Sequence, residues 1–122
     1  MAKQIIIYNL KEGVTEEDYV KWCESYKGPL LLSLNGSKSF TLVKMESGLM
    51  GNGQEGLPPT PTTSPYKYIG ILDLNSLEDM DRAREVKEFK EDFFPQWFSN
   101  WVADFYTLGG IEIYHGESAD MV

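Results

Sequence analysis

Three polar tips sit on two β-type runs. Tyr8 and Asn9 end the run Lys3-Gln4-Ile5-Ile6-Ile7, and Tyr68 lies within Tyr66-Lys67-Tyr68-Ile69-Gly70-Ile71-Leu72. Hydroxyl and amide groups on a rigid strand can orient a small molecule and pass protons. Rings gather around them: Trp22 and Tyr26 at helical spacing, with Phe40, Tyr66 and Trp97 elsewhere. Such walls suit a flat aromatic ligand. Rings at helical spacing equally suit an ordinary core. His115 is the one imidazole, and it joins Tyr8, Asn9 and Tyr68 as an acid–base candidate because imidazole titrates near neutral pH. Its neighbours Gly116 and Glu117 also suit a solvated residue. Asp73 and Glu112 fall on expected strands, where burial of either would raise its pKa.

No metal or cofactor is expected. A zinc site needs several thiolates or imidazoles, and the chain has one Cys and one His. Gly51-Asn52-Gly53-Gln54-Glu55-Gly56 spells G-x-G-x-x-G, but Leu57-Pro58-Pro59 follows and no helix can open there to face a pyrophosphate. Cys23 falls on a helical face with aromatics and reads as a core thiol.

The elements that position these residues follow from pattern. Strand one spans about 3–9. Thr15 caps a helix whose face carries Tyr19, Trp22, Cys23 and Tyr26, and Gly28-Pro29 is expected to end it near Lys27. Asn35-Gly36 turns the chain into strand two, about 37–46. Residues 47–65 are rich in Gly and Pro and read as a flexible loop, either a lid or disorder. Strand three covers about 66–74. Ser76 caps a second helix with the stripe Leu77, Met80, Ala83, Val86, Phe89 and Phe93, Pro95 kinks or restarts it, and Trp97 and Trp101 continue the face. A last strand lies within 103–115, with a bulge expected at Gly109-Gly110. The order βαββαβ predicts an α+β, ferredoxin-like fold with an antiparallel sheet, one domain over residues 1–122.

Both faces of the expected strands are apolar. One layer of helices can cover only one face, so a second copy of the chain is expected over the other, giving a dimeric α+β barrel. The net charge of −8 argues against nucleic acid and against an anionic membrane surface. No apolar run is long enough to span a bilayer or to serve as a secretory leader, and a single cysteine suits the reducing cytoplasm.

The stretch Ile5 to Val14, with Tyr19 and Trp22 after it, resembles the opening of RedY-like (HapK family) proteins. The turn Gly48-Leu49-Met50-Gly51 and the run Pro65 to Leu74 resemble the same family, across nearly the whole chain. Where relatives often carry an acidic residue on strand three, this chain has Gly70. The resemblance implies a homodimer in bacterial secondary metabolism, associated with prodiginine (prodigiosin-type) and bisindole pathways. It implies coupling, cyclisation or dehydration of a small aromatic pyrrole- or indole-type metabolite without a cofactor. Tyr8, Asn9, Tyr68 and His115 are then the catalytic candidates, and Trp22, Tyr26, Phe40, Tyr66 and Trp97 line the substrate. A non-catalytic carrier of a hydrophobic metabolite and a cofactor-free monooxygenase are the alternatives.

Overall fold

The computed structural model describes residues 1–46 and 65–118. The Gly/Pro-rich loop expected over 47–65 lies outside these residues apart from Pro65, and so does the Gly51–Gly56 run. The elements run β1 (Ala2–Leu10), α1 (Glu16–Trp22), a wide helical turn (Cys23–Lys27), α2 (Gly28–Ser33), β2 (Ser37–Lys44), β3 (Tyr68–Leu74) and α3 (Leu77–Ala83). A second wide turn (Glu88–Phe93), α4 (Phe94–Gln96), a third wide turn (Trp97–Trp101) and β4 (Val102–Ile111) complete the chain. The strands form one antiparallel sheet in the order β2-β3-β1-β4. This is the ferredoxin-like α+β arrangement.

Register sorts the sheet into rows. On the outer face Val43, Ile69, Ile7 and Tyr106 form one row, and Thr41, Ile71, Ile5 and Leu108 the next. The inner face carries Leu42, Gly70, Ile6 and Thr107, then Phe40, Leu72, Gln4 and Gly109. The helices cover the inner face, where Tyr8, Leu72, Leu74, Tyr19, Met80, Phe89, Phe93 and Trp97 make the core. The outer rows are largely apolar, no layer of the described residues covers them, and Tyr106 and Leu108 are 56% and 49% exposed.

Several local readings change. The first helical stretch does not stop at Lys27. The Gly28 N–H bonds the Cys23 carbonyl five residues back, a wide turn that leads straight into α2. Pro29 then sits in the opening turn of α2, where its missing N–H costs nothing. A Cβ on residue 28 would lie 2.9 Å from the Cys23 carbonyl oxygen, so glycine is what lets the turn close. The second stripe is also not one helix. It breaks after Ala83 and resumes at the Glu88–Phe93 turn, which leaves Leu77 and Val86 partly exposed. Ser76 and Asp79 do form a reciprocal capping box. The bulge in β4 is not at Gly109-Gly110, which pair regularly with Gln4 and Lys3. Gly109 is there because helix α3 approaches closely: a Cβ would stand 3.3 Å from Leu77 Cδ2. The register slips opposite Ile7–Asn9 instead, where Asp104 takes φ 51°.

Candidate functional site

The wide turn at Cys23–Lys27 keeps residues four apart on one face, so Tyr19, Cys23 and Lys27 all point at the sheet. Lys27 is 1% exposed and Tyr8 and Tyr19 are 0% exposed. The Lys27 ammonium donates to the Tyr19 hydroxyl at 2.9 Å. It sits 5.1–5.5 Å from the ring centres of Trp97, Phe40, Tyr8 and Tyr19. Four ring faces partly replace the water the cation has lost. Among the described residues no carboxylate pairs with it. Burial therefore dominates and lowers its pKa to about 8, opposed by the nearby Cys23 thiol.

Tyr19 is the hub. The Trp97 indole N–H donates to its oxygen at 3.0 Å, and the Tyr8 hydroxyl lies 2.8 Å away. A hydroxyl oxygen has two lone pairs. With the ammonium and the indole both donating, Tyr19 must give its own proton to Tyr8. Burial pushes both tyrosine hydroxyls, and the Cys23 thiol, above their ordinary pKa values. The Tyr68 ring stacks on Tyr8 at 5.9 Å and its hydroxyl donates to Glu16 at 2.8 Å. Burial first, then that bond, brings the Tyr68 pKa up to about 12, while Tyr68 and Lys44 hold the Glu16 carboxyl below its usual range.

Beside Lys27 lies a cavity of about 30 Å³, lined by Gln4, Ile6, Phe40, Gly70, Leu72 and neighbours. A second, of about 60 Å³, shares Gln4, Ile6, Met80, Phe89 and Phe93 with it. Each has room for a water or two. The Gln4 side-chain oxygen, on a residue 6% exposed, has no hydrogen-bond partner among the described residues. On the other side of Phe40 an apolar groove of about 430 Å³ runs between Val20–Leu32 and strand β2, lined by Cys23, Gly28, Pro29, Leu32 and Leu42. Phe40 is thus the wall between the open groove and the buried amine. Gly70 lies under that ring, where a Cβ would meet Phe40 Cε1 at 3.5 Å, an ordinary packing contact.

The sequence-derived candidates divide. Tyr8, Tyr68, Phe40 and Trp97 come together on the inner face. Trp22 and Tyr26 belong to the seam between helices, where Trp22 stacks on Phe93 and Trp101 and Tyr26 tilts against Trp22 and Phe93. Asn9 pins the chain entering β3, donating to the Pro65 carbonyl and accepting from the Lys67 N–H, each at 3.0 Å. It shares a separate open hollow with Tyr66, whose ring meets Tyr106 edge-on at 5.6 Å. His115 stands on the surface beyond β4 between Glu112 and Glu117, remote from Tyr8. Asp73 and Glu112 both approach Lys3 on the outer face. Lys27, Tyr19 and Gln4 were not among the candidates. The four-residue rhythm Tyr19, Cys23, Lys27 running into Leu30 and Leu31 is the sequence signal that marks Lys27 as inward.

Among the described residues no His, Cys, Asp and Glu cluster suits a metal, and no helix is long and apolar enough to cross a membrane. The sequence profile of the family described as REDY-like protein HapK matches residues 2–113. HapK from Hahella chejuensis superposes with a TM-score of 0.66 at 17% identity, over 97% of this chain and 98% of that one. A dimeric ferredoxin-like protein of unknown function from Thermobifida fusca gives 0.58 at 13%, over 89% and 88%. A hydroxynitrile lyase from Passiflora edulis gives 0.59 at 13%, over 94% and 96%. Comparison with curated proteins gives no match.

Proposed function

Because the chain belongs to the REDY-like HapK family, we propose that it is a cofactor-independent enzyme of secondary metabolism. Its substrate is a small aromatic intermediate of pyrrole or indole type, which it couples or cyclises with loss of water. The observation that carries this reading is the buried, carboxylate-free Lys27 joined to the Tyr19 and Tyr8 hydroxyls beside a cavity. A base poised near the working pH is what proton transfer needs. Lys27 takes or returns the proton, Tyr19 and Tyr8 carry it, and the rings exclude water and hold the substrate plane. Tyr68, held by its bond to Glu16, stacks on the Tyr8 ring and fixes its place.

The working unit in this proposal is a homodimer. Two outer rows of Ile, Val, Tyr and Leu need cover, and relatives of the same fold are described as dimeric. A reducing cytoplasm suits the free thiol of Cys23. A second reading, a carrier, draws on the open apolar groove outside Phe40, which can seat a ligand without reaching Lys27.

The test is condensation of pyrrole-2-carbaldehyde with an electron-rich pyrrole, followed by the absorbance of the conjugated product. Multiple turnovers, lost in Lys27→Met, support the enzyme. Saturable binding at the uncatalysed rate leaves a carrier. Oxygen consumption with an indole substrate would move it to the cofactor-free oxygenases.

A further inference from the structure

Lys27 is oriented for more than proton transfer. A desolvated amine, facing a cavity and paired with no carboxylate among the described residues, is the arrangement that makes lysine a nucleophile towards carbonyl carbon. The same cavity holds a second unused group, the buried Gln4 side-chain oxygen with no partner among the described residues. A buried acceptor left open wants a donor. The two together describe a ligand: a carbonyl for Lys27 and an N–H for Gln4, on a flat frame that fits between rings.

We infer that Lys27 is a covalent catalytic residue, forming an imine with a small aromatic aldehyde whose ring N–H is held by the Gln4 side-chain oxygen. This deepens the enzyme reading above and rests on it. The neutral Nζ adds to the carbonyl carbon as the C=O π bond opens. One proton moves from the nitrogen to the new alkoxide by way of the Tyr19 hydroxyl, giving the carbinolamine. The hydroxyl then leaves as water with the second nitrogen-bound hydrogen, and the C=N bond forms. Nothing is oxidised or reduced. Hydrolysis frees the lysine; alternatively a second nucleophile adds to the imine carbon and gives up its proton, and the C–N bond then breaks as the lone pair of the ring nitrogen pushes Lys27 off as a protonated amine.

Entry is through Phe40. The cavity is too small for a ring while Phe40 stands between it and the groove, so the aldehyde must displace that ring to reach Nζ. Phe40 lies on β2, the edge strand among the described residues, with Gly70 one step diagonally from it on the inner face of β3.

The experiment is reductive trapping. The protein is treated with pyrrole-2-carbaldehyde and cyanoborohydride, and the labelled lysines are mapped by peptide mass. Lys27 is expected to take the label about tenfold faster than any surface lysine, because a desolvated lysine offers far more free amine. N-methylpyrrole-2-carbaldehyde, which lacks the N–H, is expected to label Lys27 about tenfold more slowly, and Gln4→Leu to erase that preference. Phe40→Ala is expected to speed the labelling. Lys27 left unlabelled in both the wild type and Phe40→Ala, or labelled no faster than surface lysines, overturns the imine. Turnover that persists while Lys27 stays unlabelled sinks the imine and keeps the acid–base enzyme. Label on Lys27 without turnover keeps imine formation but overturns its catalytic role, together with the enzyme reading beneath it.

Discussion

Two lysines lie against opposite faces of one sheet. Lys3, on the outer face of β1, pairs with Asp73, which also accepts from Ser39 at 2.8 Å, and reaches Glu112 at 3.7 Å. Asp73 first and Glu112 after it raise the Lys3 pKa, and Lys3, helped by Ser39, holds the Asp73 carboxyl below the usual carboxylate range. Lys27, on the inner face, meets rings, a thiol and a hydroxyl among the described residues, and burial lowers its pKa. The first charge is neutralised where it stands, and the surface around it is built of Ile, Val and Leu. The second is left uncompensated. A paired charge suits a contact surface, whereas an unpaired one in the dark is costly and is kept where it has chemistry to perform.

The contrast is sharpest at Lys27→Met, which keeps the volume and removes the amine. Catalysed condensation is expected to fall by about 10²–10⁴-fold, measured as kcat/KM. The same variant is expected to gain stability at neutral pH, by up to about 3 kcal/mol in urea melts. The folded chain releases the Lys27 proton near pH 8, while the unfolded chain keeps it to about 10.5. In that window the unfolded state binds more protons, so wild-type stability should climb as pH rises from about 8 towards 10. The penalty is fully present below pH 8, and the climb should vanish in Lys27→Met. A loss of stability on substitution at neutral pH would break the comparison.

Next in size is the outer face. Ile7→Asp puts an unpaired carboxylate in the middle of the apolar rows, and sedimentation at micromolar concentration is expected to show monomers where the wild type shows dimers. A wild-type monomer would leave those rows without a partner to cover them and overturn the dimer. Tyr19→Phe deletes the oxygen that Lys27 and Trp97 share. About 1–3 kcal/mol of stability should go with it, along with most of the proton transfer. The smallest effect belongs to Lys3→Met. It should leave the chemistry at Lys27 untouched and weaken the dimer slightly, read as a modest rise in its dissociation constant, because Asp73 keeps Ser39 but loses its cation on the contact face.

Much of this was legible in the chain. Period-two patterning gave the two-sided apolar strands, and Tyr8, Tyr68, Phe40 and Trp97 were placed among the candidates by residue type alone. The Ser76 cap could be read because its chemistry is local. Lys27 is easily missed, since a basic residue just before Gly-Pro looks like the end of a helix favouring its dipole. Its spacing from Tyr19 and Cys23 points the other way, and the five-residue hydrogen bond from Gly28 to Cys23 is what carries the helix onward with Lys27 inward. Asn9 and His115 show the opposite case, residues whose types are legible but whose placement is not. Their groups suit catalysis, but Asn9 is spent on tethering β3 and His115 on surface acids.

The finite acceptor capacity of Tyr19 has one more result. While Lys27 is an ammonium, both acceptor slots are filled and the Tyr19 hydrogen must aim at Tyr8. Once the amine is neutral it can accept in turn, and the two hydroxyl hydrogens can rotate to face the other way. The trio is therefore a molecular toggle with one bit of memory, set at the helix and read at the strand, and flipping it displaces hydrogens alone.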